Sequence, residues 1–312
     1  MSMQSIVQPS IQPLNRQSKI ERFIHGPWPF ILPALFGLVF MRAFPFVWQI
    51  WLSFTNMRLG RPGEFIGLQN YRVLFQNPVF LSSIAYTGVF MVATVAGQMF
   101  FGLLLALLLE EDFKGKAVYR MTFLIPWIVS GFVAGILWQL MLVETRFGMF
   151  NALLDLMNVP PVRWLSNARN AQMSVIMVYI WKGLGFSLLL MSGGLKIIPQ
   201  EMIESADIDG ASYLQKLRLI KLPMMKDIIS VNIIFSVIAA LNSYETVFVL
   251  TGGGPGGATS IIALVMFNTA FGDGRNQLGR GSAIGVVMFV VTLIFVIIYV
   301  RKTNFAKGYG KP

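Results

Sequence analysis

Long apolar segments alternate with short polar segments along the whole chain. Six apolar segments reach the length of about 20 residues that a helix needs to cross a bilayer. They lie at Trp28–Phe54, Ser82–Leu109, Arg120–Leu142, Met173–Leu195, Asp227–Leu250 and Ser282–Val300. The pattern predicts an all-α membrane protein with six transmembrane helices in residues 28–300, flanked by polar tails at residues 1–27 and 301–312.

Composition points the same way. Hydrophobic residues make up 55% of the 312 residues, charged residues make up 12%, and the mean hydropathy is +0.65. Soluble domains carry about 25% charged residues. The chain has no cysteine and a single histidine, His25, so it offers no disulfide and no Cys/His metal site. We therefore expect a polytopic membrane protein with no catalytic residue and no metal ligand. The first apolar run is too long for a signal peptide and is expected to be a retained span.

The distribution of Lys and Arg predicts the orientation. With both tails inside, the inner side holds 15 of the 25 cationic residues and the outer side holds 8. Arg42 and Lys182 lie within spans. Because Lys and Arg are enriched in cytoplasmic loops, both termini are predicted to be cytoplasmic, and the net charge of +11 indicates membrane topology rather than a nucleic-acid partner.

An ordered, charge-dense segment, Glu204–Pro223, separates the fourth and fifth apolar segments. Acidic residues come first, then Gly210, then an amphipathic run that ends at Pro223. Gly210 can adopt a positive φ, and Asp209 or Ser212 can cap a helix. The pattern predicts two short helices, in a loop spanning residues 197–226 on the cytoplasmic side, that present a surface to a soluble partner. We call residues 197–226 the coupling loop.

The order and spacing of these residues resemble the EAA loop of permease subunits in bacterial ABC importers. That loop has the pattern Glu-Ala-Ala, three residues, Gly, nine residues, Ile-x-Leu-Pro. Here Glu204-Ser205-Ala206, Gly210 and Ile220-Lys221-Leu222-Pro223 have the same spacing, with Ser205 in place of the first Ala. Segments similar to the sugar-importer branch are Phe65–Tyr71, Trp181-Lys182 with Ile198-Pro199, and Val249–Pro255.

The resemblance implies a transport subunit of the bacterial inner membrane and not an enzyme. In such importers the EAA loop docks on a cytoplasmic ATPase and moves when ATP binds. The expected ATPase-coupling residues are Glu204, Ala206, Asp209, Gly210, Ala211, Leu217, Leu222 and Pro223. This chain has no phosphate-binding Gly-x-x-x-x-Gly-Lys-Ser/Thr motif, so ATP and Mg²⁺ are expected on the partner and no cofactor on this chain.

The resemblance also implies a set of partners. They are two ATPase subunits, a second permease subunit that is a different but homologous chain, an external substrate-binding protein that delivers a carbohydrate or polyol, and the lipid bilayer. Simpler roles stay open for the loop residues. Glu204 and Asp209 also suit plain helix capping, and Tyr213, Leu214 and Leu217 equally suit packing against the chain's own spans.

Aromatic, amide and charged side chains at membrane depth are the expected substrate-pathway residues. Aromatic faces stack on sugar rings, and amides bind hydroxyl groups. The set is Trp138, Gln139, Trp181, Lys182, Asn242, Tyr244 and Glu245. Aromatic residues near helix ends also serve as interface anchors, and Glu245 also suits a structural ion pair with Arg42 or Lys182. Two cations against one anion at this depth hint at an acidic sugar.

Two other function classes fit the sequence less well. An ion-coupled secondary transporter needs acidic residues near the bilayer midplane, and only Glu245 is available. A membrane-embedded enzyme needs clustered carboxylates or metal ligands beside a span. The acidic clusters around Glu110 and Glu204 lie in short loops without histidine.

Overall fold

The structure, a computed structural model, describes residues 26–303 except positions 273 and 275. Helices dominate this part of the chain, and its β pairing is limited to two isolated bridges, Thr55 with Phe65 and Arg58 with Arg61. The predicted tails, 1–27 and 301–312, lie mostly outside the described residues.

The described residues form two compact units, which divide between Gln49 and Ile50. Helix α1, Trp28–Ser53, begins in the first unit. In that unit, Phe36, Phe40, Phe44 and Trp48 stack in sequence with ring centroids 5.6–6.4 Å apart. Their spacing of four residues places all of the rings on one face of the helix.

The second unit contains twelve further helices in the described residues, named α2 to α13 in chain order. In sequence they are α2 Gln69–Phe75, α3 Pro78–Leu108, α4 Lys116–Ile128, α5 Gly131–Met141, α6 Met149–Leu156, α7 Ala168–Leu195, α8 Gln200–Ile208, α9 Tyr213–Met224, α10 Lys226–Asn242, α11 Glu245–Leu250, α12 Ile262–Phe267 and α13 Leu278–Thr303. A short π-helical turn, Asn268–Gly272, extends α12.

Four of these helices, α1, α3, α7 and α13, are long and apolar enough to cross a membrane by length and composition. The number rises to six if each of two bent helix pairs counts as one span. The fold is thus an all-helical membrane protein, as predicted. The predicted third and fifth spans are not single straight helices.

The predicted third span, Arg120–Leu142, is divided between α4 and α5, which are bent by 104°. Val129 is extended, and Ser130 caps the new helix by accepting a hydrogen bond from the Val133 amide at 3.3 Å. A hydropathy pattern cannot reveal this break because both halves are apolar.

The predicted fifth span, Asp227–Leu250, is likewise divided. Helix α10 ends at Asn242, Ser243 is extended, and α11 begins at Glu245. The second bent helix pair that is long and apolar enough to form one span consists of α9 and α10, which are bent by 69°, and does not include α11.

Helices α3 and α7 pack along each other at close range because small residues line their contact. A side chain at Gly102 would collide with Ser187, and one at Gly183 would collide with Gln98. Neutral hydrogen bonds join the helices at the same depth. Gln98 Nε2 donates to the carbonyl oxygen of Tyr179 at 2.9 Å, and Asn232 Nδ2 of α10 donates to Ser187 Oγ at 2.8 Å.

Candidate functional site: the coupling loop and the central cavity

Helix α8 of the coupling loop ends in a Schellman turn at Gly210. The Ala211 amide donates to the Ala206 carbonyl at 2.9 Å, and the Gly210 amide donates to the Asp207 carbonyl at 3.1 Å. Gly210 has φ of +73°, a conformation that other residues adopt only with strain. The predicted break at Gly210 is therefore present in the structure.

Helix α9 starts with a capping box. The Ser212 side chain accepts from the Gln215 amide, and the Gln215 side chain accepts from the Ser212 amide. Ser212, and not Asp209, is thus the cap of this helix. An ion pair between Lys216 and Asp207 ties α9 back to α8.

Helix α9 does not end at Pro223 as the sequence suggested; it continues to Met224. Its central turn, Leu217–Lys221, is π-helical, and the Leu222 amide donates to the carbonyl of Leu217. Proline has no amide proton to continue the regular ladder, which favours a wider turn at this place.

One buried charge anchors α9 to the membrane bundle. Lys221 is 6% exposed, and its Nζ lies 2.6 and 2.8 Å from the two carboxylate oxygens of Glu110, which follows α3. The same ammonium group lies 5.6 Å from the centre of the Tyr213 ring. Sequence reasoning missed this pair because 111 residues separate its members.

An apolar contact completes the anchor. Met225, directly after α9, is fully buried in a cluster with Ala106, Leu188, Met191 and Leu195. The coupling loop is therefore fastened at its far end by both an ion pair and a hydrophobic core.

The predicted coupling residues divide by exposure. Glu204, Asp209, Gly210 and Pro223 are exposed, Ala206 is buried, and Ala211, Leu217 and Leu222 are partly buried. Ala206 and Ala211 thus serve the turn, while the exposed members are free to meet a partner.

Two of the most exposed apolar side chains of the loop were not among the predicted residues. Ile208 is 87% exposed and Leu219 is 73% exposed, and Tyr213 and Leu214 are both more than half exposed. Large apolar side chains left exposed on one short loop favour an interaction surface. The exposure of Ile208 could have been predicted from its position between two acidic residues, Asp207 and Asp209.

A cavity of about 270 Å³ lies among α3, α4, α7 and α10. It combines polar and aromatic walls. The lining includes Gln98, Trp127, Tyr179, Lys182, Phe186, Phe235, Ser236 and Ser243. Lys182 is the charged residue of this lining, and it forms no ion pair within the described part of the chain.

Of the predicted pathway residues, only Lys182 lines this cavity. Trp138 is 7% exposed in the hydrophobic core, where it contacts Trp181 edge-on at 5.5 Å. Tyr244 stacks on Phe267 at 4.5 Å, and Asn242 Nδ2 donates within its own helix to Ile238. This geometry does not favour direct substrate contact by these aromatic residues.

The remaining two pathway residues also lie away from the cavity. Gln139 is exposed on α5. Glu245 is half-buried in the first turn of α11, so close to Gly131 that a side chain there would collide with the carboxylate. Glu245 and Lys182 form no ion pair, so the structural pairing considered from sequence is absent between these two described residues.

The segment 143–167, which we call the Glu144 loop, is held by its own polar side chains. Glu144 accepts hydrogen bonds from the Leu165 amide at 2.9 Å and from the Ser166 amide and hydroxyl at 2.7 Å. Burial raises the pKa of this carboxyl, but the hydrogen bonds and the charge of Arg163 outweigh it and lower the pKa below 4.5.

Asn151 lies at the centre of the same loop and is 1% exposed. Its Nδ2 donates to the carbonyls of Glu144 and Val162, and its Oδ1 accepts from the Val162 amide and from Trp164 Nε1.

Across the described residues, no group of three His, Cys, Asp or Glu side chains is placed to hold a metal ion.

The sequence and the fold both have close counterparts among known proteins. The chain is 36% identical over 279 residues to the trehalose/maltose transport system permease protein MalF of Thermococcus litoralis, covering 89% of this chain and 93% of that protein. It is 33% identical over 275 residues to the sulfoquinovosyl glycerol transport system permease protein SmoG of Agrobacterium fabrum, covering 87% and 88%.

A solved structure has the same fold. It is a chain of a bacterial ABC transporter involved in the import of the acidic polysaccharide alginate, with a TM-score of 0.78, 21% identity, and coverage of 94% of this chain and 98% of that one. The family of binding-protein-dependent transport system inner membrane components matches residues 98–302. This chain therefore belongs to that family, as a multi-pass inner-membrane permease subunit of an ABC importer that does not itself carry the ATPase.

Proposed function

We propose that this chain forms one half of the pore of an ATP-driven carbohydrate importer, with the coupling loop and both termini in the cytoplasm. The observation that carries the proposal is the coupling loop itself. It presents exposed apolar side chains on a frame that is capped at Gly210 and Ser212 and fastened to the bundle by Lys221. A stiff element of this kind transmits displacement, whereas a flexible linker dissipates it.

The coupling surface consists of Glu204, Asp209 and Gly210 together with the exposed Ile208 and Leu219. Its docking partner is a cytoplasmic ATPase subunit. When two such subunits close on ATP, each displaces a coupling loop. The Lys221–Glu110 pair carries that displacement to the end of α3, and α3 also contributes Gln98 to the central cavity.

The complete importer contains two ATPase subunits, a second, homologous permease chain and an external binding protein. The named relatives support a carbohydrate substrate because they serve trehalose/maltose and sulfoquinovosyl glycerol. A solved relative of similar fold was captured with a periplasmic protein that holds an alginate pentasaccharide.

The central cavity is the proposed substrate pathway of this half. Trp127 and Phe186 supply faces for sugar rings, and Gln98, Ser236 and Ser243 supply hydrogen bonds to hydroxyl groups. Lys182 adds a positive charge without an internal counter-ion, which suits a sugar with an acidic group. Of the other predicted pathway residues, Trp138 and Trp181 pack in the hydrophobic core, whereas Gln139 and Asn242 are exposed.

The experiment is ATP hydrolysis by the reconstituted complex, measured with and without substrate-loaded binding protein. Glu204→Lys places a cation on the coupling surface and is expected to lower stimulated hydrolysis at least tenfold. Glu111→Lys makes the same charge change at an exposed residue of the α3–α4 loop and is the matched control.

Two results would contradict the proposal. One is equal stimulation in both variants and the unchanged complex. The other is substrate transport in liposomes by this chain alone without ATP, which would favour an ion-coupled secondary transporter. Glu245 gives that alternative little support, because it is expected off-centre in the fifth predicted span.

A further inference from the structure

A cleft with several cations lies where α3 and α7 end and α4 begins. Two adjoining cavities, of about 770 and 70 Å³, are lined in common by Glu110, Lys116, Arg120 and Lys196. We call this region the basic cleft. It is separate from the central cavity, with which it shares no lining residue.

The acidic residues of the basic cleft are already neutralised. Glu110 is bonded through both carboxylate oxygens to Lys221. Asp112 pairs with Lys116 at 2.7 Å, and its own side chain is 99% exposed to solvent. Arg120 and Lys196 form no ion pair with any described residue. The pKa of the Asp112 carboxyl is lowered mainly by Lys116, and the charge of Lys196 adds a smaller decrease. The cleft therefore has a net positive charge.

A residue with an unpartnered hydroxyl group borders the same place. Ser192 lines the smaller cavity, and its Oγ is shielded from solvent without a hydrogen-bond partner among the described residues. A buried hydroxyl without a partner is costly and normally indicates a missing acceptor. The N-terminus of α4 also meets the cleft at Lys116 and Ala117, and no side chain caps it. The Lys116 and Val118 amides donate to the Phe113 and Gly115 carbonyls, so the helix dipole is what favours an anion here.

The rim of the cleft is apolar. Phe113 and Met121 line it and are 43% and 68% exposed. The cleft begins where the two long apolar helices α3 and α7 end, at Leu108 and Leu195, so it lies at the boundary between hydrocarbon and headgroups. A ligand that matches both parts has an anionic head and apolar chains.

We propose that the basic cleft binds an anionic phospholipid. The phosphate lies between Arg120 and Lys196 and accepts a hydrogen bond from the Ser192 hydroxyl, and the acyl chains lie along Phe113 and Met121. Basic recesses between transmembrane helices at the headgroup level recognise acidic lipids in this way. The proposal goes beyond the transport role and does not depend on the identity of the sugar.

The test is native mass spectrometry of the complete importer, titrated with phosphatidylglycerol or phosphatidylcholine. Arg120→Gln/Lys196→Gln is expected to weaken phosphatidylglycerol binding by about fivefold for each cation removed. The matched control, Lys114→Gln/Lys302→Gln, removes two exposed cations outside the cleft and is expected to retain binding within twofold.

Ser192→Ala keeps the test valid if the double variant fails to assemble, because this change removes only an unpartnered hydroxyl. It is expected to weaken phosphatidylglycerol binding and to leave phosphatidylcholine binding unchanged. A further titration adds sn-glycerol-1-phosphate to the unchanged importer with phosphatidylglycerol bound. This compound lacks acyl chains and is expected not to displace the lipid.

Four results would overturn the proposal. They are equal affinity of the unchanged importer for both lipids, equal losses in the cleft and control variants, full displacement by sn-glycerol-1-phosphate, and absence of binding in the complete importer but not in the isolated chain. The third result would indicate a site for free phosphate esters, and the fourth would indicate a partner subunit covering the cleft.

Discussion

The loops at the two ends of α7 differ in whether their side chains find partners within the loop. The Glu144 loop, residues 143–167, encloses its own polar groups: Asn151 is 1% exposed and bonded on every side, and Glu144 is bonded to the Leu165 and Ser166 amides. The coupling loop, residues 197–226, forms two capped helices but leaves Ile208 and Leu219 largely exposed.

Under the proposed function, the Glu144 loop is complete within one chain, whereas the coupling loop is completed by a partner in the assembly. The Glu144 loop behaves as part of the fold, so changes in it should act on stability. The coupling loop stores no comparable internal network beyond its caps and the Lys216–Asp207 and Lys221–Glu110 pairs. Changes on its exposed side should act on transport while the chain still folds.

The largest expected effect concerns Gly210. Gly210→Val forces a branched residue into φ of +73°, and the relaxation turns α9 relative to α8. Uptake is expected to fall at least tenfold while insertion into the membrane is unchanged, as measured by transport assays and membrane-fraction immunoblots. Gly60→Val is the matched control, because Gly60 has φ of +76° and equally open surroundings but lies outside the coupling loop. Similar uptake in both variants would contradict a special role for Gly210.

An intermediate effect is expected at Asn151. Asn151→Ala leaves the Glu144 and Val162 backbone groups and Trp164 Nε1 without partners. The free energy of opening this loop should fall by about 2–4 kcal/mol. Hydrogen exchange of peptides from residues 143–167 measures it. Asn170→Ala removes one exposed bond to Arg163 and should cost less than 1 kcal/mol. Unchanged exchange in Asn151→Ala would show that this network does not hold the loop.

The smallest effect is the pH dependence of the Glu144 loop. Because the pKa of Glu144 is lower in the folded loop than its ordinary 4.5, its contribution to stability is complete above pH 4.5 and is lost as the pH falls through the folded value. Hydrogen exchange at Leu165 and Ser166, corrected for the intrinsic rate, should therefore accelerate below pH 4.5. Glu144→Gln should abolish the acceleration, and Asp155→Asn, at an exposed carboxylate of the same loop, should preserve it. Acceleration in Glu144→Gln as well would assign the effect to another group.

The parts of the fold that were predicted correctly depend on interactions within a few residues. The uninterrupted spans follow from runs of apolar residues, and the turn at Gly210 follows from the need for a positive φ between two helical segments. The two broken spans were missed because hydropathy does not change at either break: Ser130 caps α5 inside a continuous apolar run. Likewise Ser243 interrupts α10 without any change in hydropathy.

The candidate site was predicted in part for the same reason. The spacing of Glu204, Gly210 and Pro223 identified the coupling loop. The exposure of Ile208 and the burial of Trp138 depend on which surfaces the neighbouring helices cover. Among the predicted pathway residues, Lys182 lines the central cavity, as expected for a charge at membrane depth that faces an interior recess. The substrate contacts themselves stay a prediction.

The sequence by itself determined that this protein is a helical membrane protein, since the length of an apolar helix is set by neighbouring residues, and the spacing of the coupling loop carried its resemblance to importer permeases. Only the tertiary structure decided which residues meet across long separations: Lys221 with Glu110, Gln98 with Tyr179, and Arg120 beside Ser192 and Lys196 in one cleft. These contacts depend on how the helices pack against one another. Glycine-lined surfaces and broken spans control that packing, and no local sequence pattern predicts it.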